Sequence, residues 1–159
     1  MTVVRAKETR DRDTLSAVWT ERYGAPTIVA RGIARKPLDL PGFVATDGDT
    51  LIGALTYALV EDEVEVVTLD SLREDNGIGT ALLDAAVAFA RDAKAFRLCL
   101  VTTNDNIRAL RFYQRRGWAM SGFYRDAVTA ARRLKPEIPL AGDHDIPIRH
   151  EIEFEFRLT

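Results

Sequence analysis

The chain has 159 residues, of which 47% are apolar and 29% are charged, and its formal net charge is -2. This length and composition are those of one ordinary globular domain, so we predict a single domain over residues 1–159 and exclude a disordered, collagenous or coiled-coil chain. The 22 basic and 24 acidic residues leave no basic excess for binding a polyanion, and we expect no nucleic-acid partner.

The amino-terminal sequence MTVVRAKETRDRD has no apolar core of a signal peptide, and no apolar run approaches the roughly 20 residues that span a bilayer. We therefore expect a cytoplasmic protein without a membrane partner. The single cysteine, Cys99, cannot form an internal disulfide or a cysteine-based zinc site. Because it lies within an apolar run, we expect it to pack rather than to act as a nucleophile.

Helical and extended patterns alternate along the chain. Leu15, Val18 and Trp19 follow the i, i+3, i+4 spacing of an amphipathic helix, and Asp47-Gly48 is a strong hairpin turn between two apolar runs. The predicted elements, in chain order, are a strand at 3–7, a helix at 11–23, strands at 43–46, 51–60 and 63–72, a helix at 77–93, a strand at 96–102, a helix at 105–116, and strands at 118–124 and 151–158.

Two stretches are rich in proline. Residues 24–41 contain three prolines and are predicted to be mostly loop, with one strand or helical turn, and residues 136–147 contain three more and are predicted to be a loop. The last strand alternates apolar residues with Glu151, Glu153 and Glu155, which predicts a half-buried strand. The element order indicates an α/β fold around one sheet.

The sequence EVEVVTLDSLREDNGIGTALL predicts a strand, a short turn with Gly77 and Gly79, and a helix. Glycines leave backbone N–H groups accessible, and a helix start carries the positive end of the helix dipole, so this turn is suited to a pyrophosphate. The alternative is a tight connection that binds nothing. Leu82 replaces the third glycine of a dinucleotide fingerprint, and the chain has no Gly-Lys-Ser/Thr of a P-loop.

The segment NIRALRFYQRRGW carries a second pattern. Its residues Asn106, Ala109, Leu110 and Tyr113 share one helical face. The small Ala109 leaves room for a thin ligand between an amide and a phenol. The alternative is that these apolar residues belong to the core and that Asn106 lies near the helix N-cap.

In combination, the two segments resemble the GNAT superfamily of N-acetyltransferases. Members commonly show Gln/Arg-x-x-Gly-x-Gly/Ala after one strand and Asn-x-x-Ala-x-x-x-Tyr-x-x-x-Gly-Phe/Trp after the next. The strong resemblance covers residues 50–120 and is similar to an uncharacterised bacterial branch. The first pattern is matched by Gly77, Gly79, Leu82 and Leu83, and the second by Asn106, Ala109, Tyr113, Gly117 and Trp118.

The resemblance implies a single mixed, mostly antiparallel sheet flanked by helices, with the fourth and fifth predicted strands splayed to admit acetyl-CoA. It implies direct acetyl transfer to a primary amine of a small molecule or peptide, without a metal, by a monomer or homodimer. Tyr113 would protonate the leaving thiolate. The residues implied to bind the cofactor are Leu69, Asp70, Ser71, Arg73, Asn76, Gly77, Ile78, Gly79, Thr80, Asn106, Ala109 and Tyr113.

The turn departs from the family pattern at two positions. Glu74 stands where the family has Gln or Arg, and Asp75 replaces the usual glycine. Because carboxylates repel a diphosphate, we expect binding to depend on the N–H groups of residues 76–80 and on Arg73. The N–H groups around Leu69 to Ser71 would stabilise the oxyanion that develops on the thioester.

A protonated amine cannot attack a thioester, so the reaction needs a base. The candidates are Glu63, Glu65 and Asp70, and strict alternation along the strand places Glu63, Glu65, Val67 and Leu69 on one face. A carboxylate that is half buried among valines takes up a proton more readily than a solvated one. The alternative is that Glu63 and Glu65 are solvated charges at the start of a strand.

Residues 19–40 and 125–150 are expected to form the walls of the acceptor site, the first with Trp19, Tyr23 and Arg31. The sequence GDHD at 142–145 would hold a cationic amine or a metal, or would be a polar turn, which its composition favours. His144 and His150 are too isolated to predict a metal site.

The cluster of Arg132, Arg133 and Lys135 is interpreted as a solvated helix end or as a contact with an anionic substrate or with the CoA 3'-phosphate. An alternative to the enzyme is a catalytically silent acetyl-CoA-binding module or metabolite sensor. Tyr113 favours the enzyme, because a binding module has no need of a phenol at that position.

Overall fold

The computed structural model describes residues 1–24, 27–73 and 77–158. The chain forms two compact units, the first from residues 1–27, 36–98 and 158–159 and the second from residues 28–35 and 99–157. The strands are β1 (Thr2–Ala6), β2 (Ile28–Ala30), β3 (Ile33–Arg35), β4 (Gly42–Asp47), β5 (Thr50–Val60), β6 (Glu63–Ser71), β7 (Arg97–Thr103), β8 (Ala119–Tyr124) and β9 (Glu151–Arg157). The helices are α1 (Arg12–Tyr23), α2 (Ile78–Asp92), α3 (Ile107–Arg115) and α4 (Ala127–Ala131).

The first unit is built on four antiparallel strands in the spatial order β1, β4, β5, β6. Leu15 and Trp19 of α1 pack with Val44 and Ala54 in a cluster whose members are at most 1% exposed. A side chain at position 53 would instead meet Ile78 of α2. Because successive residues of a strand point to opposite faces, α1 and α2 cover opposite sides of β5.

The second unit contains the antiparallel pair β8–β9 and the separate hairpin β2–β3. The ring of Tyr113 in α3 lies 5.6 Å from that of Trp118 and 5.7 Å from that of Phe154, and all three side chains are nearly buried. These tilted aromatic contacts are of the kind that stabilise a core beyond the area they bury. They fix the position of α3 relative to β9.

The predicted fold class, an α/β chain with mostly antiparallel strands flanked by helices, is confirmed, and every predicted strand and helix is present. The prediction that residues 24–41 are mostly loop is wrong, because they contain β2, β3 and a 3-10 turn at Pro37–Asp39. Helix α4 was not predicted. No helix within the described ranges is long and apolar enough to cross a membrane. The single domain over 1–159 and the splaying of the fourth and fifth predicted strands, here β6 and β7, stay predictions.

A half-buried ion pair ties β1 to the start of α1. Both terminal nitrogens of Arg5 donate to the Asp11 carboxylate, at 2.9 Å and 2.7 Å, and the Glu8 backbone N–H donates to it at 2.8 Å. These hydrogen bonds, with the Arg5 contribution the largest, hold the pKa of Asp11 below its ordinary value. The bidentate geometry fixes where the chain enters α1.

Asp11→Asn should lower the free energy of unfolding by about 2 kcal/mol near neutral pH, because it leaves Arg5 without its carboxylate partner. The pKa of Asp11 is lowered in the folded state, so this contribution is complete above the ordinary aspartate pKa and is lost as the pH falls through the lowered value. The difference between wild type and variant should therefore shrink in acid. Urea unfolding at several pH values measures it, with Asp84→Asn, at an exposed position of α2, as the control. Equal losses in the two variants would contradict the account.

Candidate active site

The glycine turn ends in a helix start whose backbone is set by Gly77. This residue has a φ of 67°, a conformation that side chains with a Cβ rarely adopt, and its carbonyl accepts the Ala81 N–H at 3.0 Å. The amides of Ile78 and Gly79 lie in the first turn, where a helix offers its own N–H groups no acceptor. The predicted anion seat is thus a well-formed helix start. The predicted binding residue Asn76 lies outside the described residues, as do Glu74 and Asp75.

The start of α2 is held very close to the sheet. A Cβ at Gly53 of β5 would lie 2.5 Å from Cγ2 of Ile78 and 3.2 Å from Cδ1 of Leu82. Only a glycine permits this approach without a shift of the helix. Gly53 therefore sets the distance between the first turn of α2 and strand β5.

The end of β6 presents two backbone N–H groups on the edge opposite β5. Leu72 donates to the Ile52 carbonyl at 2.9 Å, and Asp70 is the partner of Ala54 in the ladder. Hydrogen-bonded positions alternate along an antiparallel strand, so the amides of Leu69 and Ser71 point away from β5. These are two of the amides that the family resemblance assigns to the thioester oxygen.

Arg73 is held beside the β4–β5 hairpin. Its Nη1 donates to Oδ2 of Asp47 at 2.8 Å, and the amino-terminal ammonium group donates to the other oxygen at 3.0 Å. These bonds, that of Arg73 first, lower the pKa of Asp47. The Ser71 hydroxyl donates to the Arg73 carbonyl at 2.6 Å. Together these contacts anchor the chain that leads into the glycine turn.

The predicted base Asp70 is buried and heavily hydrogen-bonded. Its side chain is 2% exposed and accepts hydrogen bonds from Trp19 Nε1 at 2.8 Å and from the Tyr23 hydroxyl at 2.6 Å. Proton uptake would disturb both bonds, so we do not propose it as the base. Trp19 is fully buried, and the expectation that it lines an acceptor wall is wrong.

A β-bulge changes which residues of β6 share a face. Thr68 pairs with Thr56, but Val66 pairs with Tyr57, so Val67 is an extra residue. Glu63 and Glu65 consequently lie on the face of Thr68 and Asp70, not on that of Leu69. The predicted single face for Glu63, Glu65, Val67 and Leu69 is wrong because alternation fails at the bulge.

The two glutamates of β6 differ in their surroundings. Glu63 forms a bidentate pair with Arg97, with its Oε2 3.0 Å from Nη2 of Arg97. Glu65 is 4% exposed and lies four positions along the face from Thr68 and Asp70 in terms of their β5 partners, Ala58 and Ala54. The alternative that both are solvated charges is wrong.

In the second unit, Asn106 is the N-cap of α3, and its side-chain oxygen accepts the Ala109 N–H at 3.1 Å. The alternative interpretation of Asn106 as a cap is therefore confirmed. Tyr113 is 8% exposed and packs in the aromatic cluster with Trp118 and Phe154. Its ring is thereby fixed, and its assigned role stays a prediction.

The sequence did not indicate a buried polar cluster around β9. Glu151 and Glu153 are 3% and 4% exposed, which contradicts the interpretation of β9 as a strand with only one buried face. The Arg31 backbone N–H, at the β2–β3 turn, donates to Glu151 at 3.0 Å. Ser121 and Tyr124 donate to Glu153 at 2.7 Å and 3.0 Å. Cys99 is 1% exposed, as expected for a packing residue.

The connection between β8 and β9 is organised by one arginine. Arg132 donates to the carbonyls of Ile138, Pro139 and Ile148, and Lys135 is 7% exposed, with its pKa lowered by burial. These two residues are therefore not a solvated helix end. Residues 143–145 form a 3-10 turn, and no group of three or more metal-ligating side chains occurs among the residues that the structure describes.

Comparison with known proteins identifies the class. The model of the Acetyltransferase (GNAT) family matches residues 9–118, so the chain belongs to this family. The uncharacterized protein YxbD of Bacillus subtilis (strain 168) is 41% identical over 142 residues, 89% of each chain. A Bacillus subtilis acetyltransferase solved in complex with CoA has a TM-score of 0.70 at 18% identity, over 100% of both chains. A GNAT family acetyltransferase from Elizabethkingia anophelis with acetyl-CoA bound has a TM-score of 0.71 at 14% identity, over 99% of this chain and 98% of that one.

These comparisons confirm the family resemblance and the fold. The chain is a GNAT acetyltransferase by family, and the solved structures that share its fold include complexes with CoA and acetyl-CoA. Their low identities carry no information on the acceptor.

Gly53→Ala should destabilise the first unit by about 1–3 kcal/mol, because the added Cβ would meet Ile78 and displace the first turn of α2. Gly48→Ala is the matched control: Gly48 has a φ of 59° in the β4–β5 turn, and an added Cβ meets nothing within 4 Å. It should cost only the roughly 1 kcal/mol of a left-handed backbone. Urea unfolding measures both, and a loss no larger for Gly53→Ala would contradict the close approach.

Proposed function

We propose that this GNAT family member is an acetyl-CoA-dependent N-acetyltransferase that moves an acetyl group to a primary amine of a small molecule or peptide. The observation that carries this proposal is the pair of amide sets in the first unit. The first turn of α2 offers N–H groups to an anion, and Leu69 and Ser71 of β6 offer N–H groups away from β5. Both fit parts of acetyl-CoA, the first its diphosphate and the second its thioester carbonyl.

The diphosphate would be held mainly by backbone. The amides of Ile78, Gly79 and Thr80 belong to the helix start, where the dipole favours negative charge. Arg73, held by Asp47, lies close in sequence to the turn and supplies positive charge. In the second unit, we propose that the face of α3 with Asn106, Ala109 and Tyr113 contacts the coenzyme, so that both units act as one acetyltransferase domain.

The amides of Leu69 and Ser71 would receive the oxygen charge that develops when the thioester is attacked. One such donor is typically worth about 2.7–4 kcal/mol in the transition state. Since backbone amides in a paired strand need no reorganisation, they suit this role. Asp70 contributes here through its position between the two donors.

Glu65 is the proposed base. It is buried on the face of β6 that also carries Asp70, whereas Glu63 is paired with Arg97. Glu65 would take a proton from the amine nitrogen as that nitrogen bonds to the thioester carbon and the carbon–sulfur bond breaks. Tyr113 would give its phenol proton to the departing thiolate and regain a proton from solvent.

Two titrations test the proposal. Isothermal titration of the full chain with acetyl-CoA should show saturable binding, and a panel of polyamines, amino acids, aminosugars and short peptides should reveal at least one amine that releases CoA. A thiol reagent reports the release cleanly because Cys99 is the only cysteine and is 1% exposed. Binding without release from any amine would favour the silent binding module, and the absence of binding would overturn the proposal.

Tyr113→Phe should lower kcat by about 10- to 100-fold and change the Kd of acetyl-CoA less than threefold, because it removes a proton donor and keeps the packed ring. Steady-state kinetics on the best amine of the panel and calorimetry measure the two effects. The matched control is Tyr57→Phe, which removes a phenol from the cluster with Phe43 and Phe89. Unchanged turnover of Tyr113→Phe would remove the role.

Glu65→Gln should reduce kcat/KM most strongly below neutral pH, where most of the amine is protonated and a base is needed, and less at high pH, where free amine is abundant. The pH profile of kcat/KM measures this change of shape. Glu61→Gln, at an exposed turn, is the control. If Glu63→Gln rather than Glu65→Gln changed the shape, the assignment of the base would be wrong.

A further inference from the structure

Helix α1 grips the end of β6 through one buried carboxylate. A buried carboxylate is costly without several donors, and the Asp70 side chain is 2% exposed. Trp19 Nε1 donates to its Oδ2 at 2.8 Å, and the Tyr23 hydroxyl donates to its Oδ1 at 2.6 Å. Nη1 of Arg22 lies 3.6 Å from Oδ1. Three residues from the last turns of one helix thus converge on a single strand position.

The same helix also holds the backbone of β6. Nη2 of Arg22 donates to the Ser71 carbonyl at 3.1 Å, while the next amide, that of Leu72, donates to Ile52 of β5 at 2.9 Å. The peptide group between Ser71 and Leu72 is therefore fixed from both sides. A peptide group held by two partners cannot rotate without breaking one of these bonds.

Asp70 lies between Leu69 and Ser71, whose amides point away from β5. A change in the backbone angles of Asp70 turns the peptide groups on either side of it. The direction of both proposed oxyanion donors therefore depends on the position of the Asp70 side chain, and α1 sets that position.

We propose that Tyr23, Trp19 and Arg22 are positioning residues that aim the Leu69 and Ser71 amides at the thioester carbonyl and so make the chain prefer acetyl-CoA to CoA. The preference follows because only acetyl-CoA carries a carbonyl oxygen at that place. This inference rests on the proposed function, since the coenzyme must bind for the preference to exist.

The role is distinct from that of packing. The Tyr23 hydroxyl and the Arg22 guanidinium act through directional bonds to a carboxylate and a carbonyl, so their removal leaves the buried apolar contacts of α1, such as those of Leu15, unchanged. Arg22 is partly exposed, and its loss leaves no cavity in the core. Variants at these two positions can therefore fold while losing the hold on β6.

The test is the ratio of the Kd of CoA to the Kd of acetyl-CoA, measured by calorimetry on the full chain. Tyr23→Phe and Arg22→Gln should each lower this ratio about fivefold, with the Kd of CoA changed less than twofold. Tyr57→Phe, a buried tyrosine in the same unit, should leave the ratio unchanged. Hydrogen exchange of the Leu69 and Ser71 amides without ligand should be faster in both variants than in wild type.

An equal weakening of CoA and acetyl-CoA binding, or exchange rates at Leu69 and Ser71 equal to those of wild type, would overturn the positioning role while leaving the proposed function standing. A wild-type chain that binds neither ligand would overturn both. A drop in the ratio for Tyr57→Phe as large as that for Tyr23→Phe would show a general loss of stability and would also overturn the positioning role.

Discussion

The absence of a side chain at position 53 is the constraint on which the first unit depends. Helix α2 starts so close to β5 that a single Cβ there would lie 2.5 Å from Ile78. The same strand supplies the Ile52 carbonyl to Leu72 at the end of β6. One short stretch of β5 therefore sets both the helix start and the strand end that we assign to the two ends of the coenzyme arm.

The end of β6 is held by partners of different kinds. Ladder bonds to β5 orient alternate peptide groups, the buried Asp70 anchors the strand to α1, and Arg73 joins the following residues to Asp47. Backbone donors that are fixed in this way lose little free energy to reorganisation when charge develops beside them. The rigidity of the scaffold is thus part of the proposed chemistry.

Much of this fold could be predicted from local sequence patterns. The amphipathic spacing around Leu15 and Trp19 and the Asp47-Gly48 turn depend only on neighbouring residues, and the elements they predict are present. The bulge at Val67 could not be predicted, because it arises from pairing with β5 and leaves no local signal in a run of valines. It moved Glu65 to the other face from Leu69, which changed the assignment of the base.

The glutamates of β9 show a second limit of the sequence. An alternating strand with Glu151 and Glu153 resembles a solvated face, yet both are buried against donors from the β2–β3 turn and from β8. The turn itself uses Arg31 with a φ of 54°, where a hairpin usually has Asn, Asp or Gly. The partners of these residues lie far away in sequence, so their burial is a tertiary effect.

The most direct test of the central claim is amide chemical-shift mapping of the labelled full chain during titration with acetyl-CoA. The account predicts that the largest shifts fall on Ile78, Gly79 and Thr80 at the start of α2 and on Leu69 and Ser71 at the end of β6. Saturable binding that leaves these amides unshifted, or titration without any shift, would contradict it.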